Sequence, residues 1–133
     1  MLGQFFCNPV LPAKDGDRAR AFYRDVLGLA LQSGPTDDPM FFTAGSGTAL
    51  LVTEIPERVP SGYPVVSFMV TGIEDLVSSL SRRGVAFIEP SASSFAGAAG
   101  TVHGYVIDYG PVKTAAFSDS EGNVLALNEI IGS

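Results

Sequence analysis

Asp15-Gly-Asp-Arg-Ala-Arg-Ala-Phe-Tyr-Arg-Asp-Val-Leu-Gly28 and Thr71-Gly-Ile-Glu-Asp-Leu-Val-Ser-Ser-Leu-Ser-Arg-Arg-Gly84 are the two stretches that carry a helical period. In the first, Ala19, Phe22, Tyr23, Val26 and Leu27 fall at i, i+3, i+4, i+7 and i+8, a single apolar stripe. Asp15 or Asp17 is placed to cap its start, and Gly28 supplies the left-handed residue that ends it. In the second, Ile73, Leu76, Val77 and Leu80 form the stripe, and Thr71 with Glu74 fits a capping box. Gly84 closes it behind Arg82 and Arg83, whose charges suit the negative end of the helix dipole. In both stretches a candidate cap stands 13 positions before the closing glycine.

The flanks read as strand and turn. Extended apolar stretches precede the helices, Phe5 to Leu11 and Tyr63 to Val70. Leu29 to Gln32, Met40 to Thr43 and Ala49 to Ile55 follow the first helix. Val85 to Ile88, Val102 to Ile107, Val112 to Phe117 and Val124 to Ile130 follow the second. Asp37-Asp38-Pro39, Gly45-Ser46-Gly47 and Glu121-Gly122-Asn123 supply turn chemistry between them, and Pro56 to Gly62 reads as a linker. The ends of the halves match as well. Phe42 precedes Gly47 by five residues and Glu54 by twelve, and Phe117 precedes Gly122 by five and Glu129 by twelve. The first half thus runs strand, helix, then three strands, and the second is read on the same pattern with one extended stretch more. The expected fold is α+β, two paired βαβββ modules in one domain over residues 1–133, with one module at 1–58 and the other at 63–133.

Composition narrows the function. A chain of 133 residues, 46% of them apolar, builds one real core. With 8 basic against 14 acidic side chains the formal charge is −6, which repels phosphate and argues against nucleic acid. One cysteine excludes an internal disulfide, and with one histidine it excludes the usual zinc sites. No apolar run is long enough to span a bilayer, and the first residues lack the basic start of a secretory signal, so a soluble cytoplasmic protein is expected. The 15 glycines and 9 prolines fit short strands and tight turns.

Phe22-Tyr-Arg-Asp-Val-Leu-Gly28 resembles the first-helix signature of the glyoxalase, bleomycin-resistance and extradiol-dioxygenase superfamily, the vicinal oxygen chelate fold. Phe117-Ser-Asp-Ser-Glu-Gly-Asn-Val-Leu-Ala-Leu127 resembles its closing hairpin, with Ser120 where a proline is usual. The resemblance covers nearly the whole chain. It implies a metal site on the inner sheet faces, built from a His or Gln on the first strand and a Glu on the last strand of each half. Carried onto this sequence, those positions are Asn8, Leu51, Val65 and Ala126. Val65 is preferred to Pro64 because the second helix of similar proteins starts one residue nearer its glycine. Asn8 alone offers an oxygen. Shifting every strand back by one gives Cys7, Leu50, Pro64 and Leu125, a thiol and three alkyl groups. Neither a metal nor a cofactor is therefore expected.

Strand alternation places Phe6, Asn8, Val10, Ala49, Leu51, Thr53, Tyr63, Val65, Ser67, Met69, Val124, Ala126 and Asn128 on the inner faces. Such a surface is apolar, with neutral hydrogen-bonding groups at Asn8, Thr53, Tyr63, Ser67 and Asn128. It suits an organic ligand of moderate size. His103 follows the Ser/Ala/Gly-rich run Ser91 to Gly100 and is the candidate general acid or base. Tyr105 and Lys113 are candidates to orient a carboxylate or phenolate, and Asp108 is placed to neutralise Lys113. Cys7 and Tyr23 read as core residues. Neither Gly45-Ser46-Gly47 nor the Gly-Ala-Ala-Gly at 97 to 100 opens a helix, so no phosphate cradle is expected. The leading reading is metal-independent binding of a small organic molecule, as in the sequestering branch that the chain resembles, by a symmetric homodimer. The acidic balance favours a cationic ligand. Two rivals stand beside it: a metal-free isomerase or lyase using His103, and an accessory or regulatory domain without a ligand.

Overall fold

The computed structural model describes residues 1–90 and 100–131, so the Ser/Ala/Gly-rich run up to residue 99 lies outside the described residues. The chain divides into two compact units, Met1–Val59 and Pro60–Ser133.

The first unit holds β1 (Val10–Ala13), α1 (Gly16–Ala21), a π-helical turn (Phe22–Val26) that continues α1, β2 (Ala30–Leu31), β3 (Met40–Ala44) and β4 (Thr48–Glu54). Its sheet runs β1-β4-β3-β2, with β1 parallel to β4 and the other pairs antiparallel. Asp15 caps α1, its carboxylate accepting from the Arg18 amide at 3.1 Å. The wider turn shows in the Leu27 amide, which donates to the Phe22 carbonyl five residues back at 3.0 Å. Gly28, at φ +79°, ends the helix in the left-handed conformation expected of it. Ala19 and Tyr23 are buried along with Leu11, Ala13, Met40, Phe42, Leu50 and Val52, which share the helix-facing side of the sheet. The Tyr23 and Phe42 rings lie 5.7 Å apart. Burying a large side chain of this kind contributes about 1.5–3 kcal/mol, so the helix stripe is what fixes α1 to its sheet.

The second unit holds β5 (Pro64–Met69), α2 (Ile73–Arg82), β6 (Ala86–Phe87), β7 (Thr101–His103), β8 (Val106–Asp108), β9 (Val112–Ser118) and β10 (Val124–Ile130). The sheet runs β5-β10-β9-β8-β7, with β6 also paired to β9. Ile73 and Val77 of α2 are buried with Ala115, Phe117, Leu125 and Leu127. Phe87 bridges Tyr105 and Phe117, with ring centroids 5.7 and 5.6 Å away. Asp119 closes the last hairpin. Its Oδ1 accepts from the Glu121 and Asn123 amides and its Oδ2 from the Asn123 side chain, each at 2.8 Å. This Asp–Asn closure is the local reason for the signature read between Phe117 and Leu127.

Several sequence expectations change. The single strand expected over Val102 to Ile107 is a hairpin, because Gly104 takes φ +62° and turns the chain between β7 and β8. The second unit therefore exceeds the βαβββ count. The capping box at Thr71 does not form; the N-cap is Gly72 at φ +65°, and its partner is distant in sequence. The strand expected from Phe5 begins only at Val10, since Pro9 has no amide for a ladder. Cys7 is consequently exposed, not a core residue. Among the described residues, no helix is long and apolar enough to cross a membrane.

Candidate functional site

The two glutamates of the internal repeat have the same job. Glu54 Oε1 accepts from the Gly16 amide at 2.8 Å, at the start of α1. The Glu129 carboxylate accepts from the Gly72 and Ile73 amides at 2.8 and 3.1 Å, at the start of α2. Each last strand thus sends a carboxylate to the positive end of its own helix, satisfying amides that have no intrahelical partner. Their spacing aligns them in the sequence, but the role depends on helix ends 38 and 57 residues away. Their position also matters for chemistry, because both point to the helix side of the sheet. The opposite face lacks them.

That opposite face is built by register. In the first unit Val10 lies opposite Leu51, Pro12 opposite Thr53, Phe41 opposite Leu51 and Thr43 opposite Ala49. A shallow cavity of about 280 Å³ opens there, lined by Phe6, Asn8, Phe41, Thr43, Thr48 and Ala49. In the second unit Ser67 lies opposite Ala126 and Met69 opposite Asn128, while Asn128 in turn faces Thr114 across β9 and β10. Tyr63, Val65, Ser67 and Met69 are exposed, whereas Ala126 and Thr114 are buried. The Thr114 hydroxyl has no hydrogen-bond partner.

The positions that the family resemblance marks for metal ligation occupy matching registers. Leu51 faces Val10, two residues after Asn8, and Ala126 faces Ser67, two residues after Val65. They present one carboxamide and three alkyl groups, a set that does not fit a divalent ion needing several convergent charged or imidazole donors. Among the described residues, no three of His, Cys, Asp and Glu gather at one point.

His103, Tyr105 and Lys113 stand elsewhere. His103 pairs with Val106 and lines a cavity against α2, so it is on the helix side of the second sheet. Tyr105 lines the same cavity, and its ring stacks on Phe87. Lys113 donates to Glu74 Oε1 of α2 at 2.8 Å. That hydrogen bond is the main reason the Glu74 carboxyl is held below its ordinary range and the Lys113 ammonium above its own. Asp108, the neutralising partner expected from sequence, lies across from Lys113 and adds only a weaker charge effect; its Oδ1 accepts from the Gly110 amide at 2.8 Å. The structure therefore gathers Asn8, Leu51 and Thr53 on one open face and Tyr63, Val65, Ser67, Met69, Ala126 and Asn128 along the other. It does not bring His103, Tyr105 or Lys113 to either.

The family model described as bleomycin resistance protein-like N-terminal matches residues 6–42. A search of the curated proteins returned no match. Solved structures are similar over almost the full chain. A Bacillus anthracis protein described under the glyoxalase family is 19% identical, with 96% of each chain covered and a TM-score of 0.70. TnmS3, an antibiotic binding protein from a Streptomyces species, is 21% identical, with 93% of each chain covered and a TM-score of 0.64. A glyoxalase/bleomycin resistance protein from Catenulispora acidiphila is 21% identical, covering 94% of this chain and 97% of its own, with a TM-score of 0.63. The family model thus matches the first part of the chain, and over its full length the chain shares the fold of solved structures described as glyoxalase or bleomycin resistance proteins.

Proposed function

We propose that this protein binds a small organic molecule, without a metal, on the sheet faces turned away from its helices. The observation that carries the reading is the chemistry of those faces. They expose Phe6, Val10, Phe41, Tyr63, Val65 and Met69, interspersed with the neutral hydrogen-bonding groups of Asn8, Thr53, Ser67 and Asn128. Apolar area holds a ligand and a few polar groups orient it. The antibiotic-binding neighbour supports the same reading through its fold. An isomerase or lyase reading built on His103 has no comparable support, since that imidazole stands on the helix side.

Native mass spectrometry of tag-free protein tests this, before and after chelation. A bound organic molecule that survives chelation and disappears in Val65→Arg is expected. A stoichiometric metal, lost on Asn8→Ala, overturns the reading. The two units act, in this proposal, as modules of one domain, and two copies of the chain pair as a homodimer. Isolated large apolar side chains are ordinary on a surface, but a contiguous row of them asks for cover. Light scattering at micromolar concentration should give the dimer mass; a monomer mass removes that part of the proposal.

A further inference from the structure

The second unit carries a cavity of about 400 Å³ that the open faces do not share. α2 presents Glu74, Ser78 and Ser81 to it, at i, i+4 and i+7 on one stripe. The β7–β8 turn supplies the other wall with His103 and Tyr105, and the buried Val77 and Val106 form the floor. Tyr105 is a fixed wall, because its ring rests on Phe87 at 5.7 Å with the planes 29° apart.

Electrostatics select the ligand. Glu74 brings a carboxylate to the cavity lining, which holds no Lys or Arg among its described residues; Lys113 reaches the Glu74 Oε1 at 2.8 Å from outside that lining. A cation is attracted there and an anion repelled. The apolar floor and aromatic wall suit a flat body, and the face of a tyrosine ring attracts positive charge. Serine hydroxyls along α2 can accept hydrogen bonds from an N–H. We propose that this cavity binds a small flat organic cation, an aromatic amine or amidine, with its charge at Glu74 and its ring against Tyr105. The proposal is independent of the open-face reading above.

His103 is the sole histidine of the sequence, so its imidazole signals in a proton NMR spectrum need no assignment by mutation. Benzamidine, titrated into the intact protein to about 10 mM at a fixed pH near 8, should shift those signals saturably. Benzamide, its uncharged analogue, should bind about tenfold more weakly or worse, and Glu74→Gln should weaken benzamidine by a similar factor. Ser78→Phe, on the exposed side of α2, should fill the cavity and abolish the shift, with circular dichroism confirming the fold. No saturable shift with benzamidine overturns the proposal. So does equal binding of benzamide, or a shift that survives Ser78→Phe. A shift abolished by Val65→Arg but untouched by Ser78→Phe overturns it too, since it assigns the probe to the open face.

Discussion

The two units solve one problem in two ways. Both must hold a short helix against a sheet, and both do so with a glutamate from the last strand. In the first unit one amide is satisfied, and α1 lasts only from Gly16 to Ala21 before it widens into a π turn. In the second, two amides are satisfied, and α2 runs from Ile73 to Arg82 without interruption. The glycine beside each carboxylate is needed for a different reason. A Cβ on Gly16 would lie 2.6 Å from Glu54 Oε1, whereas Gly72 has open space but a φ of +65°. A repeated anchor thus tolerates different local geometry, provided the strand and the helix end stay together. What diverged is the span between helix and anchor, where the second unit inserts the β7–β8 hairpin.

Mutations can break this equivalence at graded cost. Phe42 and Phe117 occupy the same place in the repeat, and both are almost fully buried. Each change to alanine should cost about 3–5 kcal/mol in chemical denaturation. A small loss at one and a large loss at the other would show that the cores are not equivalent. Glu129→Ala should cost roughly 2 kcal/mol and Glu54→Ala about 1 kcal/mol, because the first strands two amides and the second one. Equal losses would remove the distinction drawn between the two helix ends.

Gly16→Ala should cost about 1 kcal/mol through displacement of Glu54, and close to nothing once Glu54 is already alanine. Gly72→Ala should cost about 1–2 kcal/mol from backbone strain, whether or not Glu129 is present. A double-mutant cycle in each unit separates the two mechanisms. The smallest effect belongs to the Lys113–Glu74 pair. Because Lys113 lowers the Glu74 pKa, the stabilisation is complete above the ordinary carboxyl value of 4.5 and is lost as pH falls through the folded value. Lys113→Met should therefore lower the melting temperature slightly at neutral pH, and the deficit should vanish in acid. A deficit that persists when Glu74 is protonated would assign it to lost packing of the lysine stem instead.

Local signals were legible and distant ones were not. The stripes of Ala19 to Leu27 and Ile73 to Leu80 depend only on near neighbours, so their period showed in sequence. The Phe–Gly–Glu spacing showed the repeat for the same reason. Thr71 and Glu74 formed a plausible capping box locally, but Glu129 outcompeted it from another strand. The side on which His103 falls was hidden by Gly104, because the hairpin starts a new alternation that no continuous strand count can follow. The open faces were read more fully. The alternation through Ser67 and Met69 is kept in phase with Ala126 and Asn128 by the pairing of β5 with β10, while the register shifts between Val124 and Leu125 and leaves Val65 at the irregularity.

The glutamate anchors also set a timetable. α1 meets its carboxylate across 38 residues, but α2 must wait for one 57 residues further along the chain. The longer closure costs only about 0.4 kcal/mol more in chain entropy, so equilibrium stability hardly registers it. During synthesis the difference is in order rather than energy. The first helix can be anchored as soon as Glu54 is free to fold back, while the second stays without its anchor until nearly the last strand is made. An interruption of synthesis between the end of α2 and Glu129 would leave a chain with its first helix anchored and its second still lacking its partner.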